Sequence, residues 1–240
     1  MKKISFLFPL YNEEKRISIL FKFLKWIKKN KVTKYEIILV SNGSTDKTKE
    51  KIFEYQKKYT FIKSFHFNEK SRGRALKIAI NKSKYNLIAL CAIDNAWDLN
   101  FYKKSYKLLN LTKYSVIFGP KTHKKSKVDR PVFRKIVSLV SSTYLKLLFG
   151  EVVDQDTQCI KMFKKNEIFF KKLLSDSNLF SDVEFFLLTK LHKLKYLSIP
   201  VNIKDNKGRV SVTMMLSFVY SALKFKFSKN YRIAKKYFYY

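Results

Sequence analysis

Apolar and polar positions along this chain fall into blocks that read as strand, helix, strand, helix. Ile4 to Pro9 is a short apolar run and predicts a first strand. Glu13 to Lys29 follows as a helix, with Ile17, Leu20, Phe21 and Leu24 spaced to bury one face. Tyr35 to Val40 predicts a second strand. It runs into Ser41-Asn42-Gly43-Ser44-Thr45-Asp46, where Ser44 or Thr45 can cap a helix and Asp46 suits its first turn. That helix is polar and reaches Lys58. Phe61 to Phe67 alternates like a strand, and Arg72 to Lys82 reads as a helix. Leu87 to Ile93 is then an uninterrupted apolar run that ends at Asp94, with Asp98 soon after. So short a run, bounded by polar residues, predicts a strand buried on both faces.

Beyond it a helix extends to Asn110, and Ser115 to Gly119 predicts a strand. Pro131 opens a strongly apolar helix to Phe149, closed by Gly150, which fits the preference for Pro at a helix start and Gly after its end. An acidic turn, Asp154-Gln155-Asp156, precedes a short strand ending at Phe163. Phe180 to Glu184 starts a helix and Tyr196 to Val201 is a late strand. In the last segment Met214, Met215, Leu216, Phe218, Val219, Leu223, Phe225 and Phe227 are interleaved with Lys224, Lys226 and Lys229. Strands alternating with helices at short spacing predict an α/β fold whose central sheet is mostly parallel and flanked by helices. We expect one such domain over residues 1–210 and an amphipathic helical tail over 211–240. The strand ends at Pro9, Val40 and Ile93 gather on one edge of such a sheet, where open α/β sheets bind ligands. Neither Gly-x-Gly-x-x-Gly nor a Gly-Lys-Ser/Thr phosphate loop occurs, which argues against a dinucleotide fold and a P-loop enzyme.

Charge adds a partner to this picture. Lys and Arg number 51 against 18 Asp and Glu, a formal net charge of +33. Such an excess points to an anionic partner: nucleic acid, an anionic membrane surface or a phosphorylated substrate. No nucleic-acid module and no aromatic-basic stacking signature accompanies it, so nucleic acid is not the expected partner. Two cysteines, Cys91 and Cys159, are too few for a disulfide framework and are expected to be reduced thiols. The apolar stretch at the N-terminus lacks a small-residue cleavage site, and no charge-free run reaches the length of a bilayer crossing. The apolar helix 131–149, the segment 214–227 and the basic loop Lys121–Arg130 instead have the composition of an interfacial surface. Peripheral attachment to the inner, cytoplasmic face of an anionic membrane is the expectation, with a separate membrane-spanning protein as a further candidate partner.

With these residues in order, the chain resembles the family 2 glycosyltransferases of GT-A fold. Within them it is most similar to the dolichyl-phosphate mannosyltransferase and bacterial polyprenyl-phosphate glycosyltransferase group. Pro9-Leu10-Tyr11-Asn12-Glu13 is similar to the family's opening Pro-x-Tyr-Asn-Glu, and Asn42-Gly43-Ser44-Thr45-Asp46 to its Asp-Asp-Gly-Ser-Thr-Asp loop. Asp94 stands where the family's Asp-x-Asp metal motif begins. Asp156-Thr157-Gln158-Cys159 followed by Lys161-Met162-Phe163, Asp182-Val183-Glu184 and Arg209-Val210-Ser211 match later stretches. The chain departs at Ser41 and Asn42, where the family has aspartates, at Ala96, the second Asp-x-Asp position, and at Leu139, which replaces a basic residue.

The resemblance implies inverting transfer of a hexose from a nucleotide-diphosphate sugar to a polyprenyl phosphate. It implies Asp94 as ligand of Mg²⁺ or Mn²⁺, with Asp98 as a stand-in second ligand. Arg209 would clamp the diphosphate, and Asp182 would orient sugar hydroxyls. Pro9, Tyr11, Asn12, Glu13, Asn42 and Ser44 would line the donor pocket, and Lys121, Arg134 and Ser138 would hold the acceptor phosphate. The losses at Ser41, Asn42 and Ala96 keep a second reading open: a degenerate transferase-like protein that binds at the membrane without turnover.

Overall fold

A computed structural model describes residues 1–93, 98–129, 131–150, 153, 156–167, 180–204 and 212–238. Its centre is a seven-stranded sheet built from β1 (Lys2–Leu10), β2 (Thr33–Asn42), β3 (Ile62–Phe67), β4 (Leu87–Leu90), β5 (Val116–Gly119), β7 (Ile160–Lys164) and β8 (Tyr196–Ser198). The spatial order is β3-β2-β1-β4-β7-β5-β8. β1, the first run in the sequence, lies between β2 and β4 and pairs with both in parallel, Phe6 standing beside Ile37 on one side and Ala89 on the other. The expected parallel sheet is therefore mixed at one place. β7 runs antiparallel to both β4 and β5, bringing Lys161 beside Leu90 and Phe118. A small second sheet pairs β6 (Lys127–Asp129) with β9 (Asn202–Lys204), so the single late strand read over 196–201 ends at Ser198 and the chain re-pairs elsewhere.

Helices cover both faces, as the alternating inward and outward side chains of buried strands require. On one face α1 (Leu20–Lys29), α2 (Thr48–Lys58) and α4 (Asn100–Leu111) press Leu20, Phe23, Ile27, Ile52, Phe101 and Tyr102 onto Phe6, Phe8, Ile37 and Leu39. On the other, α3 (Arg72–Lys82) and α6 (Ser181–Leu191) pack onto Leu7, Ile38, Val40 and Phe118. α5 (Val132–Phe149), α7 (Val212–Lys226) and α8 (Lys229–Phe238) join that second core through Leu145, Phe149, Phe218, Ala222, Phe225 and Tyr231.

The first helix starts later than the periodicity predicts. Glu13 to Arg16 forms turns, a 3₁₀ segment covers Ile17–Ile19, and α1 begins only at Leu20. The cause is at the strand exit. Asn12 takes φ of 53°, and the Glu13 and Glu14 N–H groups are drawn to Thr48 and Asp46 rather than into a helix.

Candidate active site

The C-terminal ends of β1, β2, β3 and β4 open on one edge, and the donor-side residues of the sequence meet there. The Asn42 amide, itself buried, donates to the Leu10 carbonyl at 2.6 Å and ties the ends of β1 and β2 together. Asn12 sits in the left-handed region, which Asn tolerates better than most residues. Its N–H donates to Ser44 Oγ at 3.2 Å, and its Oδ1 accepts from the Thr45 N–H at 2.9 Å. The Glu13 N–H donates to Thr48 Oγ1 at 2.7 Å, and the Glu14 N–H to Asp46 Oδ2 at 3.1 Å. Burial opposes ionisation of Asp46, but hydrogen bonds from Thr48 and from the Glu14 N–H outweigh it and lower its pKa. Two loops that begin 32 residues apart are thus laced into one ledge. Gly43 makes the ledge possible: its φ is +71°, and its N–H donates to the Phe67 carbonyl at 2.9 Å, against the turn before α3. The Lys70 ammonium lies 3.8 Å from the centre of the Tyr11 ring, a cation–π contact at the end of β1.

A second cluster stands at the same edge, on the α3 and α6 side. Asp182, in the first turn of α6, receives Lys161 Nζ at 2.5 Å on Oδ1 and Arg72 Nε at 3.1 Å on Oδ2. Lys161 comes from β7 and its side chain is 0% exposed. Arg72 opens α3, where Ser71 accepts from the Arg74 N–H as the cap. Burial would raise the Asp182 pKa, yet the charges of Arg72 and Lys161 hold its carboxyl well below the usual carboxylate range. Asp182 was legible in the sequence; Lys161 stood there only as part of the Lys161-Met162-Phe163 match, with no role, and Arg72 was not singled out. The signal for Lys161 was a lone cation inside the apolar run Cys159 to Phe163, since a buried lysine needs a partner.

The acceptor-side residues lie further along the chain. Lys121 follows β5; its Nζ reaches Asp156 Oδ2 at 3.2 Å and donates to the Gln158 carbonyl at 2.9 Å. Thr122 Oγ1 accepts from the Asp156 N–H, so the basic loop and the acidic turn are fastened together. Arg134 and Ser138 are both half-buried on α5. The same helix exposes Val132, Phe133, Ile136, Leu139 and Val140, and α7 exposes Val212, Leu216 and Tyr220. α5 and α7 lie side by side, with the Tyr144 hydroxyl donating to the Val219 carbonyl at 3.2 Å.

The metal-side residues are described in part. Asp94 and Arg209 lie outside the described residues. Asp98 Oδ1 accepts from the Asn100 N–H at 2.8 Å at the start of α4, and an open hollow of about 350 Å³ beside it is lined by Asn100, Lys103, Lys104, Lys107 and Asn202. Among the described residues no three His, Cys, Asp or Glu side chains converge as a ready-made cation site. Pro9 is a strand residue paired with Val40. Both cysteines are buried and free, and burial pushes the Cys159 thiol up to about 12, which leaves it unreactive near neutral pH.

The family profile described as "Glycosyl transferase family 2" matches residues 5–168. A dolichyl-phosphate beta-glucosyltransferase of Trichomonas vaginalis is 27% identical over 241 residues, spanning 92% of this chain and 72% of that protein. The Homo sapiens dolichyl-phosphate beta-glucosyltransferase is 26% identical over 230 residues, spanning 86% and 69%. Among solved structures, glucosyl-3-phosphoglycerate synthase of Mycobacterium tuberculosis in complex with Mn²⁺ and UDP-glucose superposes with a TM-score of 0.66. It covers 93% of this chain and 78% of that one at 14% identity, a likeness of fold.

Proposed function

The chain belongs to glycosyl transferase family 2 and has its GT-A fold, and on that premise we propose that it moves a hexose, glucose in the first instance, from a nucleotide-diphosphate sugar to a polyprenyl phosphate at a membrane surface. The observation that carries this reading is the match, along most of both chains, to proteins named dolichyl-phosphate beta-glucosyltransferase. The residues make chemical sense of it. The ledge of Tyr11, Asn12, Glu13 and Ser44, stiffened by Asn42, receives the nucleoside, and Asp182 accepts from sugar hydroxyls. Arg209 stabilises the leaving diphosphate. Lys121, Arg134 and Ser138 receive the acceptor phosphate. That phosphate is already ionised near neutral pH, its second pKa being about 6, so the site needs no strong general base.

Carboxylate oxygens with substrate phosphates are the ligand set that suits Mg²⁺ or Mn²⁺. Asp94 would supply one such oxygen, and the Asp98 oxygen not bonded to the Asn100 N–H would supply another. A cation held there would neutralise charge that develops on the departing diphosphate.

The membrane enters through α5 and α7. Their exposed apolar side chains, with Lys135, Lys146 and Lys224 along the same helices, match the make-up of interfacial helices. No helix among the described residues is long and apolar enough to cross a membrane. The working position is peripheral, on the cytoplasmic face. The test is to incubate the purified chain with UDP-glucose labelled in the sugar, Mn²⁺ and polyprenyl phosphate. Label should pass into an organic-soluble product.

One observation favours a second reading, binding without turnover. At the end of β2, Ser41 and Asn42 leave no carboxylate, and the Asn42 amide is already committed to the Leu10 carbonyl. Tight binding of nucleotide sugar with no product would select it.

A further inference from the structure

The Asp182 cluster is built more elaborately than a carboxylate that merely starts a helix requires. Three separate elements supply it: Arg72 from α3, Lys161 from β7 and Asp182 from α6. Lys161 is fully buried, whereas Asp182 keeps 13% of its side chain exposed. Register fixes where the cluster lies. Lys161 stands beside Leu90, the last residue of β4, so the cluster sits at the C-terminal end of β4.

Removing a lysine from water is costly, and a buried ion pair seldom adds net stability over apolar side chains of similar size. A stabilising core would be served as well by methionine at 161. What the lysine does supply is geometry and charge. An ionised carboxylate has about four acceptor positions. Lys161 Nζ and Arg72 Nη2 meet Oδ1 at 2.5 and 3.5 Å, and Arg72 Nε meets Oδ2 at 3.1 Å. Those three donors pin both oxygens and leave about one acceptor position for a group arriving from the edge.

We infer that Lys161 is a positioning residue: with Arg72 it locks Asp182 as a fixed acceptor for a hydroxyl of the donor sugar. The inference rests on the donor-sugar reading above and deepens it. A site built to hydrogen-bond a hydroxyl discriminates strongly against a ligand that lacks it. The sugar therefore adds affinity that the nucleoside diphosphate alone does not have, and that increment depends on Lys161.

The experiment is calorimetric titration of the full chain with UDP and with UDP-glucose, both with Mn²⁺. Wild type, Lys161→Met, Asp182→Asn and the double variant are compared. The double variant removes both members of the buried pair and leaves only the partly exposed Arg72 without its carboxylate, which protects the fold if a single variant fails. The expected result is UDP affinity within about twofold of wild type in every folded variant, with the UDP-glucose increment reduced roughly 10- to 100-fold, the size of one charge-assisted hydrogen bond. The double variant should lose no more than the worse single, because the two residues act as one unit. An undiminished increment in Lys161→Met or in the double variant would overturn the inference, as would equal weakening of UDP and UDP-glucose, which marks a structural staple. Wild type binding UDP-glucose no better than UDP contradicts the premise that the sugar is held here. Wild type binding neither contradicts the donor reading itself.

Discussion

Gly43→Ala is the substitution that most sharply couples the fold to the donor ledge. Gly43 sits at φ +71°, and a Cβ built there would stand 2.5 Å from the Lys70 backbone nitrogen, 2.8 Å from the Glu69 carbonyl carbon and 2.9 Å from Lys70 Cα. All three neighbours are backbone, so no side chain can swing aside. The left-handed conformation alone costs an alanine about 1–2 kcal/mol. Moving the chain at Lys70 away also weakens the bond from the Gly43 N–H to the Phe67 carbonyl, for about 1 kcal/mol more. A total of about 2–3 kcal/mol corresponds to a fall in Tm of roughly 4–12 °C for a domain of this size. Part of the strain will be relieved by shifting Ser44 and Thr45 off Asn12. If about 1.4 kcal/mol goes that way, nucleotide affinity drops about tenfold. Differential scanning fluorimetry and UDP titration read the two effects separately. A variant with wild-type Tm and wild-type UDP affinity would refute the argument.

Phe133→Glu with Leu139→Glu, at positions 62% and 66% exposed, should change Tm by less than about 1 kcal/mol equivalent yet abolish co-sedimentation with anionic liposomes. Retained sedimentation would remove α5 from the membrane contact. Asp98→Ala should destabilise by about 0.5–1.5 kcal/mol through loss of the bond from the Asn100 N–H and raise the Mn²⁺ concentration needed for UDP binding. Lost stability with no change in Mn²⁺ requirement would confine Asp98 to that structural bond. Asp46 and Asp182 are both held below their unfolded pKa, so each contributes stability above about pH 4 that is lost as pH falls through the folded value. Burial holds His66 and His192 below their ordinary pKa, so some stability is already lost as pH falls through about 6.5. Below about pH 4 Tm should fall further, less steeply in Asp46→Asn, and an equally steep fall in that variant would contradict this assignment.

The sheet strands and the ledge were legible because their signals are local. An apolar run between polar residues marks β1, β2 and β4 whatever surrounds them, and Asn42 to Asp46 carries its own capping chemistry. The direction of β7 was not legible, because periodicity says that a segment is a strand and nothing of which way it runs. The turn at Asn12 was hidden for a similar reason. Its partners, Ser44 and Thr45, come from another loop, and the apolar spacing of Ile17 to Leu24 continues smoothly across the break. Arg72 was obscured by the basic composition, one of 51 cations, and Lys161 carried only the faint signal of a cation inside an apolar run. The apolar spacing of α5 and α7 fitted both a core and an interface, and each helix has a buried and an exposed apolar face. Leu145, Phe149, Phe218 and Phe225 pack inward, while Phe133, Leu139 and Leu216 face out.

Transfer of a hexose to a lipid phosphate is open to a competition assay. Labelled UDP-glucose is presented with Mn²⁺ to wild type and to Asp94→Ala, with polyprenyl phosphate and 3-phosphoglycerate as competing acceptors. Products are separated into organic and aqueous phases and identified by mass. Wild type should yield glucosyl polyprenyl phosphate and no glucosylated phosphoglycerate, and Asp94→Ala should transfer no sugar. Sugar delivered only to the water-soluble acceptor, or nucleotide sugar bound tightly by wild type with no product in either phase, would contradict transfer to the lipid.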